Sequence, residues 1–213
     1  MAQIYQGYSI LDVDRWPQRL RDKWRDPVPG VDILPGATLE SYWYGPVNSL
    51  LGWAFSTHLF EFDVALQRFP SLQNPGAVDF VAKASQETFI VQMRNAPVLI
   101  VEIMDPSHLS NTQSRQAADD QIRLRYRQML DLCPIDTLYG ISIIGRYMRV
   151  YYASKEGERI IYPTRPVYPG MHPDAVLPAN HLQGQWNTEV ISLAGFREFK
   201  AIVSRILTEL PQR

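Results

Sequence analysis

The feature that most constrains the fold is an uninterrupted apolar run, Val98–Val101, that ends in the carboxylate Glu102. A continuous run of valine, leucine and isoleucine is typical of a central strand that is buried on both faces. A second strand is predicted at Val78–Ala82, and it carries Asp79 between two apolar residues. A carboxylate in a buried strand costs on the order of several kcal/mol unless it is paired or bound to a cation. The sequence therefore predicts a sheet containing two acids that need partners.

Helical patterns surround these strands. After Asn111 the apolar residues recur at spacings of four, four, three and four, which makes one stripe of a long helix to about Leu132. The stripe consists of Ala118, Ile122, Tyr126, Met129 and Cys133. Other helices are predicted over 16–25, from Thr38 to Ala54 with a kink at Gly45-Pro46, and after Ser192. Further strands are predicted over 138–144, 147–153 and 159–162, with 88–93 as a hairpin or insertion. This order predicts an α/β or α+β sandwich.

Composition narrows the class of protein. The chain has 213 residues, which suits one domain, and its net charge is −1. A nucleic-acid partner would therefore need a local basic patch. Because there is one cysteine, Cys133, no internal disulfide can form, and a reducing compartment is expected. We find no signal peptide and no apolar run of about 20 residues, which predicts a cytoplasmic or nuclear protein that is neither secreted nor in a membrane.

The two acids, Asp79 and Glu102, are the candidate functional residues. If their strands pair antiparallel, Asp79 near the start of one lies opposite Glu102 near the end of the other. Two carboxylates that converge need a shared proton or a cation. Mg²⁺ or Mn²⁺ would meet this need, because such ions take oxygen ligands from one or two carboxylates and from a substrate phosphate. The alternative is a salt bridge from each acid to an arginine, and the pattern leaves it open.

Asp79, followed by a strand that ends Val101-Glu102-Ile103-Met104, resembles the PD-(D/E)XK, or restriction-endonuclease-like, nuclease superfamily, in a fungal-type branch. The resemblance covers about residues 38–153, with helical extensions on both sides. It implies a mixed sheet flanked by helices, a Mg²⁺ ion held by Asp79 and Glu102, and Glu40 as a third ligand. It also implies that Arg115, Gln121 and Arg123 on the following helix contact nucleic acid, DNA more readily than RNA.

The resemblance breaks at Met104, where the family has a lysine that helps to activate water. Methionine carries no charge and donates no hydrogen bond to a phosphate. Two expectations follow: a metal-dependent nuclease that cuts phosphodiester bonds, or a degenerate nuclease fold that binds nucleic acid or protein. A homodimer stays open in both cases.

Two charged patterns have alternative interpretations. Arg115, Asp119, Arg123 and Arg127 recur every four residues, as either a solvated helix face or a row of phosphate contacts. Near the N-terminus, Trp16 and Trp24 lie among basic residues; they either stack on nucleic acid or pack an amphipathic helix.

Overall fold

The computed structural model describes residues 9–26, 39–55, 62–69, 86–169 and 176–210 of the chain. The helices within these ranges are α1 (Gln18–Lys23), α2 (Leu39–Tyr42), α3 (Tyr44–Ala54), α4 (Thr112–Met129) and α5 (Leu193–Glu209). The strands are β1 (Asp63–Phe69), β2 (Gln86–Met93), β3 (Ala96–Met104), β4 (Thr137–Ile144), β5 (Tyr147–Ser154) and β6 (Thr188–Glu189).

The strands form one mixed sheet in the order β1-β2-β3-β4-β5-β6. All neighbours are antiparallel except β3 and β4, which run parallel and are joined through α4. Parallel neighbours need such a crossover, because a short turn cannot return the chain to the same end. The predicted α/β fold, with a mixed sheet flanked by helices, is confirmed.

Helices α4 and α5 cover opposite faces of this sheet. Gly140 of β4 faces Tyr126 of α4, whereas the hydroxyl of its neighbour Tyr139 donates to Glu209 of α5 at 2.8 Å. Successive strand residues point to opposite faces, so the sheet lies between the two helices. The predicted apolar stripe of α4 is buried. The predicted C-terminal helix is also confirmed, and its stripe enters the main core through Phe196, Phe199, Val203 and Ile206.

The antiparallel neighbour of the Glu102 strand differs from the one predicted. Thr88 of β2 is the register partner of Glu102 on one side, and Ser142 of β4 is its partner on the other. Segment 86–93 is therefore a full strand, joined to β3 through Arg94 and Asn95 at positive φ angles of 51° and 66°. Two successive residues with positive φ suit a tight hairpin turn. The predicted strand Val78–Ala82 lies outside the described residues.

Two further predictions need correction. The helix predicted through Ala54 is broken at Trp43, and Pro46 sits in the first turn of α3, where a missing N–H is tolerated. Segment 159–162 is not a strand but makes one isolated bridge, Tyr152 to Tyr162. Strands β1 and β6 were not predicted. The N-terminal tryptophans Trp16 and Trp24 are buried, which favours their packing interpretation.

Candidate functional site

A row of polar side chains crosses the sheet beneath α4. Thr88, Glu102, Ser142 and Arg149 are register neighbours on β2, β3, β4 and β5, so they share one face. All four are buried. We call these four residues the polar row. Buried polar groups are costly without hydrogen-bond partners, so the partners decide what this row does.

Glu102 is enclosed by donors. Its Oε1 accepts from the Thr88 hydroxyl at 2.7 Å and from Arg125 Nε at 2.7 Å, and its Oε2 accepts from Gln121 Nε2 at 2.6 Å. The side chains of Glu102 and Arg125 are 0% and 1% exposed. Burial raises the pKa of the Glu102 carboxyl above its ordinary value, although the charge of Arg125 and the hydrogen bonds oppose this shift. Of the two partner types that the sequence left open for Glu102, the structure has the arginine.

A second buried acid, Asp119, lies at the other end of the row. Its Oδ2 accepts from Arg123 Nε at 2.7 Å and Arg165 Nε at 2.6 Å. Its Oδ1 accepts from Arg149 at 3.1 Å and from the Tyr151 hydroxyl at 2.9 Å. Burial acts to raise the pKa of Asp119, but the hydrogen bonds and charges of Arg123 and Arg165 outweigh it and hold the pKa below its ordinary value. We call this arrangement the Asp119 hub.

An apolar cluster lies beside the middle of the polar row. Ser142 accepts from Trp186 Nε1 at 3.1 Å, and Trp186 packs with Leu182, Ile144 and Met104 in a separate hydrophobic cluster. Met104 is 5% exposed. The position where the resembled family carries lysine is therefore filled by a packed thioether, and a charged side chain there would need desolvation.

Glu40, the predicted third ligand, lies on the other side of the sheet from Glu102. Glu40 accepts from the Tyr44 hydroxyl at 2.7 Å, and the Tyr44 ring packs on Phe89. Phe89 follows Thr88 on β2 and points to the opposite face of the sheet. Asp79 lies outside the described residues, so its role as a ligand stays a prediction.

The side chains predicted to contact nucleic acid are buried, and each is hydrogen-bonded within the protein. Arg115 donates to the backbone carbonyls of Leu109, Ala179 and His181, and Gln121 is bound to Glu102. Arg123 is bound to Asp119. The stripe of α4 that was interpreted as a solvated face or a row of phosphate contacts is therefore mostly neither, and Arg127 is its exposed member.

One histidine joins this network. His181 Nε2 donates to Gln116 Oε1 at 2.6 Å, and its Nδ1 accepts from the Tyr168 hydroxyl at 3.0 Å. Burial lowers the pKa of His181, which suits an uncharged ring holding both bonds. His108, which follows Glu102 by six residues, contacts the carbonyl of Asp105 in its own loop at 3.2 Å.

Metal-ligating side chains are dispersed in the described ranges. No group of three or more histidine, cysteine, aspartate or glutamate residues there could hold a metal ion. No described helix is long and apolar enough to cross a membrane.

Comparison with known protein families, curated proteins and solved structures finds no match to this chain. The fold and the site therefore define the protein by their own features. It is an α/β protein with a mixed sheet whose central polar row is sealed under α4 by arginine–carboxylate pairs.

Proposed function

We propose that this chain is a catalytically degenerate nuclease-like domain that works as a nucleic-acid-binding module. The observation that carries the proposal is the bond of Arg125 to Glu102, the acid that the family resemblance assigns to a metal ion. The elements follow in the order helix, two hairpin strands, helix and parallel strand, and Glu102 lies two residues before the end of the second hairpin strand. That order is the one in which the resemblance would be expected.

Mg²⁺ or Mn²⁺ does not fit the donors around Glu102. Both carboxylate oxygens already accept hydrogen bonds, and one bond comes from a buried guanidinium. Arg125 Nε also lies 3.1 Å from the Thr88 hydroxyl, so its positive charge is held beside the Glu102 carboxylate and β2. A divalent cation would have to displace this charge against strong repulsion at short range. We therefore derive no catalytic step through a metal.

The surroundings of Met104 support the same conclusion. A methionine buried in the same apolar cluster as Trp186 supplies no charge to a phosphate. An active hydrolase would need a positioned donor for the charge that develops in the transition state. At the position of the motif lysine, the described face has the buried Met104.

The test is degradation of supercoiled DNA and of RNA with Mg²⁺ and with Mn²⁺. The samples are wild type, Met104→Lys and Glu102→Gln. We expect no cleavage from any of them, and equal heats of Mn²⁺ binding for wild type and Glu102→Gln in calorimetry. Wild-type cleavage that disappears in Glu102→Gln would overturn the proposal and restore the metal-dependent nuclease. Cleavage that persists in Glu102→Gln identifies a contaminating nuclease, which a second purification removes before the comparison is made.

A further inference from the structure

The Asp119 hub opens on its outer side into a groove of about 350 Å³. One wall is the C-terminal half of α4, and the other is segment 159–165. Four arginines line this groove: Arg123, Arg127, Arg159 and Arg165. We propose that this arginine groove binds the phosphate groups of a nucleic-acid backbone, an inference that rests on the proposed binding function.

The arginines of the groove outnumber the acids that they pair with. Asp119 forms salt bridges with Arg123, with Arg165 and with the neighbouring Arg149. Asp120 pairs with Arg165, and Asp131 pairs with Arg159. Arg127 is exposed and forms no ion pair with another described residue. The four lining arginines against three aspartates leave about one positive charge uncompensated, in a chain whose net charge is −1, and the buried Arg149 takes part of the charge of Asp119 as well. The groove is thus the kind of local basic patch that such a chain needs to hold a polyanion.

The walls of the groove are held in place before any ligand arrives. Arg123 donates from Nη1 to the carbonyl of Ile161 at 3.1 Å and from Nη2 to the carbonyl of Pro163. These bonds join segment 159–165 to α4. The side chains of Arg165 and Arg159 are 37% and 44% exposed, so each can present guanidinium edges to solvent. A preorganised site loses less conformational entropy on binding.

The chemistry of the lining selects phosphate over a base edge. A guanidinium matches two phosphate oxygens with two parallel hydrogen bonds, and arginine is preferred where such recognition is required. The remaining lining residues are Ile160, Ile161 and Thr164, which offer few groups that could read a base. The volume lies near the lower end of ligand sites, roughly 300–1,000 Å³, so it suits one phosphate and its sugar at a time. Contacts of this kind position a backbone without reading sequence.

The test is fluorescence anisotropy of labelled single-stranded and duplex DNA in buffer with EDTA, titrated at several salt concentrations. The variant is Arg127→Glu, and the matched control is Arg197→Glu. Arg197 is an exposed residue of α5, on the opposite side of the sheet. We expect Arg127→Glu to weaken binding about tenfold and to lower the slope of log affinity against log salt by about one. The control should bind like wild type. Circular dichroism confirms that both variants are folded.

Four results would overturn the inference. Equal weakening in both variants would mean that only overall charge matters. If Arg127→Glu binds DNA as tightly as wild type does, the groove is not the binding site, although the proposed function still holds. Competition by inorganic phosphate with no dependence on strand length would assign the groove to free phosphate instead. If wild type binds no oligonucleotide at all, the proposed function fails together with the groove.

Discussion

Removing Arg125 should expose what the buried pair contributes. Arg125→Met keeps most of the side-chain length but deletes the charge, and it leaves the Glu102 carboxylate buried with Thr88 and Gln121 alone. Deleting one partner of a buried pair typically costs about 3–5 kcal/mol, because the remaining charge is uncompensated. The free energy of unfolding of natural domains is about 5–15 kcal/mol, so this cost is a large fraction of the total stability.

The assay is urea denaturation followed by fluorescence of the five tryptophans. The matched control is Arg127→Met, which removes the same charge from an exposed position of α4 and should stay within about 0.5 kcal/mol of wild type. The double variant Glu102→Gln/Arg125→Met should recover about 1–3 kcal/mol, because no charge is then left unpaired.

The sign of the pH dependence follows from Glu102. Its folded-state pKa is raised above the ordinary value of 4.5, and losing Arg125 raises that pKa further. Between 4.5 and the folded-state pKa, the folded state binds the proton that the unfolded state has released, so stability falls as pH rises. The cost of Arg125→Met should therefore be larger at pH 8 than at pH 5. A cost equal to that of Arg127→Met, or one that does not change with pH, would refute the reasoning.

Two further predictions concern other parts of the same face. Asp119→Asn should cost about 3 kcal/mol at neutral pH; because the folded-state pKa is held below 3.8, this contribution is lost as pH falls through that pKa, and denaturation at pH 7 and pH 3 should show the difference shrinking. An undiminished difference at pH 3 contradicts it. Gly140→Ala places a Cβ 2.7 Å from the Tyr126 hydroxyl oxygen and should cost about 1–3 kcal/mol in the same assay. Gly52→Ala, with nothing within 4 Å, is its control and should not destabilise; equal effects would contradict the clash.

The strand that carries Glu102 was predictable because a short, continuous run of valine, leucine and isoleucine is typical of a strand that is buried on both faces. Its partner was not identified, although a signal was present. Arg125 lies three residues after Ile122 and four before Met129, which places it on the apolar stripe of α4. A charged residue on a buried stripe predicts a buried partner, and this rule would have chosen Arg125 over Arg123. Asp119 follows Arg115 by four residues and precedes Ile122 by three, so the same rule applies to it.

Other features depended on contacts between distant parts of the chain. Strand β6 has two residues and exists because Thr188 and Glu189 meet β5, more than thirty residues earlier. Local sequence carries little information about so short a pairing. Segment 159–162 looked like a strand, but Arg123 takes the carbonyl of Ile161 for its own hydrogen bond. Side-chain capture of a backbone group in this way is set by the assembled fold and not by local propensity.

The polar row also determines how the strands line up. A slip of β3 by one residue would turn every side chain of that strand to the other face. Glu102 would then leave Arg125 and enter the apolar layer, while Val101 would be set against Thr88 and Gln121. The arrangement without the slip gives both oxygens of the carboxylate hydrogen-bond donors, so a misaligned sheet is penalised by an uncompensated charge. The contacts of Glu102 thus favour one register of β3 over the registers that its apolar residues alone would allow. The acid that would hold a metal ion in an enzyme of the resembled family here fixes the alignment of the central strand.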